Sequence, residues 1–317
     1  MNQRAQIASF GTLLTLLVLP APSQMADATA SEAVLGSYFE RSSGAIYRLE
    51  GIPSSALLGG RQSELKFARA ATGAGHVLGV DAADGTAWLL RGGRATKLAG
   101  VHSGAARVAL SPSGRSAAFY SEDRAAVQVV SGLPEAPRLV WEATLPGPVS
   151  LLAVSDDGEA VASVGDRGLA LVTAHHPPQV LLRQANALAF VAGARRLLAA
   201  EPEQNAVWLI DADSGAASLL MDQRDGLEAV AAVAASADGR RVFVALVSGR
   251  IAIRATAGGL IDFVTCSCTP SRLSPLRGPA AFLLNDPQDQ DQTLWVLDAG
   301  RPDPGVAFVA RKAKVTE

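Results

Sequence analysis

The chain has 317 residues, 49% of them hydrophobic, which is enough for one large domain or two ordinary ones with a substantial core. Its 28 basic and 30 acidic side chains leave a formal net charge of −2. That balance disfavours nucleic acid as a partner, because a groove built for phosphates carries a basic excess.

The first residues read as an export signal. Arg4 supplies a short basic region, Ile7 to Leu19 an apolar run, and Pro20 a break, followed by small residues at Ala21-Pro22-Ser23 and Ala26-Asp27-Ala28. Cleavage after Ser23 or Ala28 satisfies the small-x-small rule. Residues 1–28 are therefore expected to be a signal peptide, with 29–317 as the mature domain in the periplasm or outside the cell. The apolar run is 13 residues long, short of a bilayer span, and no later stretch is longer, so the mature chain is expected to have no membrane span.

From Val34 onward, apolar runs of four to eight residues alternate with Gly, Asp, Ser and Pro, and no helical period persists. This is the pattern of an all-β chain. Val34 to Glu40 reads as the second strand of a first unit and Ala45 to Leu49 as its third; a first strand is missing there. The clearest unit is Ala106 to Gly132. An apolar strand meets a tight turn at Ser111-Pro112-Ser113-Gly114, a second strand runs to Tyr120, and a third spans Ala126 to Val130. The next unit has strands at Val149 to Val154, Glu159 to Val164, Leu169 to Thr173 and Gln179 to Arg183, with its turn at Ser155-Asp156-Asp157-Gly158. An early Ser or Asp with Gly at the position that tolerates positive φ closes such a hairpin. Gly305 to Arg311 reads as the last strand.

Two columns run through these units. Tyr47, Trp88, Gln128, Ala170, Trp208, Ala252 and Trp295 fall in the third strands at intervals of 38 to 44 residues. Gly75, Gly114, Gly158, Ala194, Gly239 and Gly278 mark the first turn of successive units. A period near forty with three or four short strands per unit is that of a β-propeller, whose four-stranded sheets cannot bury both faces alone and so pack around a ring. The expected fold is a seven-bladed β-propeller, with six blades as the other count. Its blades are four-stranded and antiparallel, and its ring is closed where the N-terminal and C-terminal strands meet.

The S-P-S-G, S-D-D-G and S-A-D-G turns at 111–114, 155–158 and 236–239 resemble those of bacterial WD-repeat and YVTN-type exported propellers. The resemblance spans roughly residues 34 to 311. It implies a fold and not a reaction.

Motifs that carry chemistry are sparse. Ser63-Glu64-Leu65-Lys66 has the S-x-x-K spacing, but in strand-like surroundings and without companion motifs it reads as coincidence. His175 and His176 are adjacent and point apart in an extended segment; with His76 and His102 they read as solvated residues rather than metal ligands. Cys266 and Cys268 are expected as a local disulfide or as two sheltered thiols. The loops between second and third strands gather on one face, and they carry Asp81, Asp84, Glu122, Asp123, Asp166, Glu201, Glu203, Asp286, Asp289 and Asp291 against only Arg124, Arg167 and Arg250. An acidic rim around one mouth of the channel is expected, suited to a protein or small cationic ligand, with ordinary solvated loops as the alternative. No cofactor is expected apart from a divalent cation near Asn285 to Asp291. The function expected is that of a monomeric, non-catalytic scaffold for protein or ligand binding. The alternative is an enzyme of the lactonase or lyase type, with a site in the central channel. Ala109-Leu110-Ser111 and Ala234-Ala235-Ser236, at the inner strands, favour the scaffold.

Overall fold

A computed structural model describes residues 34–73, 75–145, 147–286 and 293–311. The expected signal peptide at 1–28 lies outside them. The described residues hold no α-helix, only strands, turns and one 3-10 turn at Gln223–Asp225.

The first sheet contains β1 (Val34–Glu40), β2 (Ala45–Ile52) and β3 (Ser55–Arg61). Five four-stranded sheets follow, and the last four strands join the first three in one seven-stranded sheet. The second has β4 (Phe67–Thr72), β5 (Val77–Asp81), β6 (Ala87–Arg91) and β7 (Arg94–Lys97); the third has β8 (Arg107–Leu110), β9 (Ser116–Ser121), β10 (Ala126–Ser131) and β11 (Arg138–Thr144). The fourth has β12 (Val149–Val154), β13 (Ala160–Gly165), β14 (Gly168–Thr173) and β15 (Gln179–Leu182); the fifth has β16 (Ala187–Phe190), β17 (Arg196–Glu201), β18 (Ala206–Asp211) and β19 (Ala217–Met221). The sixth has β20 (Val230–Ala235), β21 (Arg241–Leu246), β22 (Arg250–Ala255) and β23 (Ile261–Thr265), and the last has β24 (Ser274–Pro275), β25 (Ala281–Leu283), β26 (Leu294–Asp298) and β27 (Gly305–Arg311). Apart from β3 and β27, neighbouring strands within each sheet pair antiparallel, and the sheets are arranged in a ring as a β-propeller.

Burial sorts the strands by distance from the axis. Second strands such as β9 and β13 are buried nearly end to end, whereas outer strands such as β7 and β11 are largely exposed. A strand covered on both faces needs no polar alternation, which is why Ser116 to Tyr120 and Val161 to Val164 read as continuous small and apolar runs. The apolar clusters lie between adjacent sheets rather than within one. Leu78 and Leu89 of the second sheet pack against Phe119 and Val130 of the third, and Phe243 and Ile251 of the sixth against Phe282 and Leu297 of the last. A sheet removed from the ring would expose both of its faces, so each blade depends on its neighbours.

Six of the seven residues of the first column lie in the third strands of their sheets, and Tyr47 lies in β2, the middle strand of the three-stranded first sheet. In the turn column, Gly114, Gly158, Gly239 and Gly278 have positive φ. In the fifth sheet Gly193 takes that conformation, although Ala194 donates its N–H to Val191 as Gly114 does to Ser111.

The ring closes where the N-terminal and C-terminal strands meet, as expected. The first sheet has three strands, not four, and β1 is as buried as the second strands elsewhere, so no inner strand precedes it among the described residues. The first and last sheets join at their outer edges, where β3 pairs in parallel with β27 through Leu57↔Ala310 and Leu58↔Arg311. Nearer the axis, the Arg277 N–H donates to the Leu35 carbonyl. Leu276 lies against Gly36, where a Cβ would come within 2.7 Å of its Cδ2. Leu35, Tyr38 and Leu49 then share a core with Leu276, Leu283 and Val296. The terminal strands therefore meet side by side and do not share one four-stranded blade. A parallel contact of this kind needs only two outer strands running in the same direction.

Candidate binding face and central channel

In each antiparallel sheet, the turn from second to third strand lies on the same face as the loop leading to the next inner strand. The carboxylates expected to form a rim occupy these turns, and several have local partners. Asp81 Oδ1 accepts from the Ala83 N–H at 2.7 Å. Asp84 Oδ1 accepts from the Thr86 N–H at 2.8 Å, and that bond holds the carboxyl below the usual range. Glu201 Oε2 accepts the Trp208 indole N–H at 2.9 Å. Asp286 lies 2.7 Å from Arg41 Nε and 3.5 Å from Arg272 Nη1, an ion-paired triad across the junction of first and last sheets. Glu122, Asp123, Asp166 and Glu203 are exposed at their turns. Asp289 and Asp291 lie outside the described residues. Asn285 is tied to Trp295 N and the Thr293 carbonyl. Among the described residues, no group of three or more His, Cys, Asp or Glu side chains could hold a metal ion.

Inside the ring of turns the charge reverses. Arg69 and Arg107 lie in the inner strands β4 and β8, near the ends that meet this face. Each reaches the next inner strand: Arg69 Nε donates to the Ala106 carbonyl at 3.3 Å and Arg107 Nε to the Ser150 carbonyl at 3.1 Å. Asn186 makes the same reach from the start of β16, donating to the Val230 carbonyl at 2.7 Å. Arg272, just before β24, donates to Ser274 Oγ at 2.8 Å. Burial pushes its guanidinium down from the ordinary arginine value, with the Asp286 charge acting against that shift. The mouth is thus flanked by arginines, with the carboxylates farther out on turns between second and third strands.

Below this mouth the six inner strands enclose a cavity of about 340 Å³. Its walls are apolar, with Ala71, Val108, Leu110, Leu152, Leu188 and Phe282 among the lining residues, and Arg272 is the one charged side chain in the lining. Val108, Leu110, Leu152 and Leu188 are only partly buried. Ser111 and Ser236 also line it, but their hydroxyls accept the N–H groups of Ser116 and Arg241 in the adjacent hairpins.

The remaining candidates are structural. Ser63 and Lys66 lie in the loop between β3 and β4, where Ser63 Oγ accepts the Leu65 N–H at 3.1 Å; no helix brings Ser and Lys together. Cys266 and Cys268 form a disulfide in the loop between β23 and β24. His102 Nε2 lies 3.1 Å from Glu142 Oε2, and His175 and His176 are exposed.

His76, expected to be solvated, is instead buried, and its Nε2 has no hydrogen-bond partner. Burial, followed by the Arg91 charge, lowers its pKa. The unfolded chain accepts this proton near pH 6.5 and the folded chain resists it, so the stability it contributes is present above about 6.5 and lost as pH falls through the folded value. The urea midpoint of the wild type is expected to fall between about pH 7.5 and pH 5.5, and His76→Gln to flatten that dependence. An unchanged slope in the variant would refute this assignment.

No family model matches this chain, and no curated protein does. Among solved structures it is similar to a functionally unknown protein from Desulfotomaculum acetoxidans DSM 771, with 11% identity and a TM-score of 0.59, covering 88% of this chain and 100% of that one. At that identity the likeness shows the fold alone. No helix among the described residues is long and apolar enough to cross a membrane.

The inner arginines carry a faint sequence signal: both stand near the start of an inner strand, in Phe67-Ala68-Arg69-Ala70 and Ala106-Arg107-Val108-Ala109. A count of charges in the turns alone passes over them.

Proposed function

We propose that the mature chain is an exported propeller of the WD-repeat-like or YVTN type that acts as a non-catalytic scaffold for a protein or small ligand. The observation that carries this reading is the channel lining. The inner strands present Ala, Val and Leu to the axis, Ser111 and Ser236 are bonded into hairpins, and Arg272 is held by Asp286 and Ser274. Hydrolytic or lyase chemistry needs an acid, a base or a nucleophile at the reacting atom, and these side chains supply none. The exposed carboxylates Glu122, Asp123, Asp166 and Glu203 are the contacts proposed for a basic partner.

The test is a pull-down from the envelope fraction of its own cells, with the wild type beside a variant carrying Arg at those four positions. A partner retained by the wild type and lost by the variant is the expected result. Turnover of a lactone or uronate substrate by the wild type, abolished by the channel-filling change Ala189→Phe, would replace the scaffold with the enzyme.

A further inference from the structure

We propose that the central channel is a binding site for a single-chain anionic amphiphile, a medium-chain carboxylate with its tail along the axis and its head group at the arginine mouth. This names a ligand class for the scaffold proposed above and rests on that reading.

Three features point the same way. The walls are apolar, and Val108, Leu110, Leu152 and Leu188 leave part of their side chains uncovered towards the cavity, surface that an alkyl chain would bury. Five of the six inner strands are four to six residues long, roughly 13 to 20 Å, which accommodates an extended ten-carbon chain. The polar end is marked by charge: Arg272 lines the cavity, and Arg69 and Arg107 directly precede the lining residues Ala70 and Val108. A mostly apolar space with a few polar groups at one end is how small-ligand sites fix orientation.

The arginines are also poised for an anion. Arg69 and Arg107 are held by backbone carbonyls, which orient the guanidinium without neutralising it. Arg272 shares the carboxylate of Asp286 with Arg41, so this pair of cations faces one anion in the triad. A carboxylate head group at the mouth would add charge-assisted hydrogen bonds there. A cationic amphiphile would meet repulsion at the same place.

The experiment is calorimetric titration of the chain with sodium decanoate below its micelle concentration. Saturable one-site binding is expected, with octanoate weaker by about tenfold, since each buried methylene contributes about threefold to fourfold. Decyltrimethylammonium is expected not to compete. The double variant Arg69→Gln, Arg107→Gln leaves the closure triad intact and is expected to weaken decanoate by at least about tenfold. Ala189→Phe, which fills the channel, is expected to abolish binding, with circular dichroism showing that both variants remain folded. No saturable heat, equal affinity for the cationic amphiphile, or full affinity in folded Ala189→Phe would each overturn the site. Decanoate recovered chemically altered would overturn the scaffold reading and leave the site standing, whereas absent binding would do the reverse.

Discussion

Gly168→Ala is expected to destabilise the protein by about 3–5 kcal/mol, the larger of the two strongest effects that the structure supports. Gly168 opens β14 at the turn that carries Asp166 and Arg167, with φ at +95°. An L side chain in that conformation costs about 1–2 kcal/mol by itself. A Cβ would also stand 2.2 Å from the Leu182 carbonyl oxygen and 2.6 Å from that of Arg183, and both are backbone atoms of the neighbouring segment that cannot rotate away. Gly193→Ala separates the two causes, because Gly193 has φ at +65° with no atom within 4 Å of the added methyl. Its cost is expected to be about 1–2 kcal/mol. Urea unfolding of both variants reads the difference, and equal midpoints would show that the carbonyl collision is relieved.

Asp156→Ala is expected to cost about 2–4 kcal/mol, although the residue lies in a surface turn. Its carboxylate joins three blades on the face opposite the arginine mouth. Oδ1 accepts the Ser113 N–H at 2.7 Å from the third sheet's first turn, and Oδ2 accepts the Gly193 N–H at 2.9 Å from the fifth sheet's. Removing the carboxylate leaves both amides without that acceptor. Asp156→Asn keeps one carbonyl oxygen but presents N–H to N–H at the other, and is expected to fall between wild type and alanine. Burial acts to raise the carboxyl pKa, and the hydrogen bonds from Gly193 and Ser113 more than offset it, leaving the pKa below the usual aspartate value. The contribution is therefore fully present above the unfolded value of roughly 3.9 and is lost as pH falls through the folded value. A wild-type and Asp156→Ala difference that persisted unchanged at about pH 2 would argue against the carboxylate as its source.

The strand plan was legible because propeller packing imposes a local rule. A strand covered on both faces is continuously apolar, and a hairpin between two such strands requires its Ser, Asp and Gly. Those constraints sit within a few residues of each other, so Val149 to Thr173 could be divided into strands and a turn without reference to the rest of the chain. The column from Tyr47 to Trp295 repeats for the same reason, since each third strand meets an equivalent environment. The sorting of charge was not legible. Asp286 in its loop reads like Asp166 in its turn, yet Asp286 is held by Arg41, which lies 245 positions away, and by Arg272. His76 reads as a polar turn residue and is buried because the third sheet's first turn closes over it, with Gly114 against its ring.

By itself the sequence determined an all-β repeat of short sheets, the place of each third strand and the missing first strand of the first unit, because burial on both faces and tight turns are written in neighbouring residues. Only the tertiary structure decided that β3 and β27 meet in parallel and that arginines rather than carboxylates flank the channel. Those outcomes depend on which side chains the closed ring brings together across hundreds of residues, and no local pattern constrains that distance.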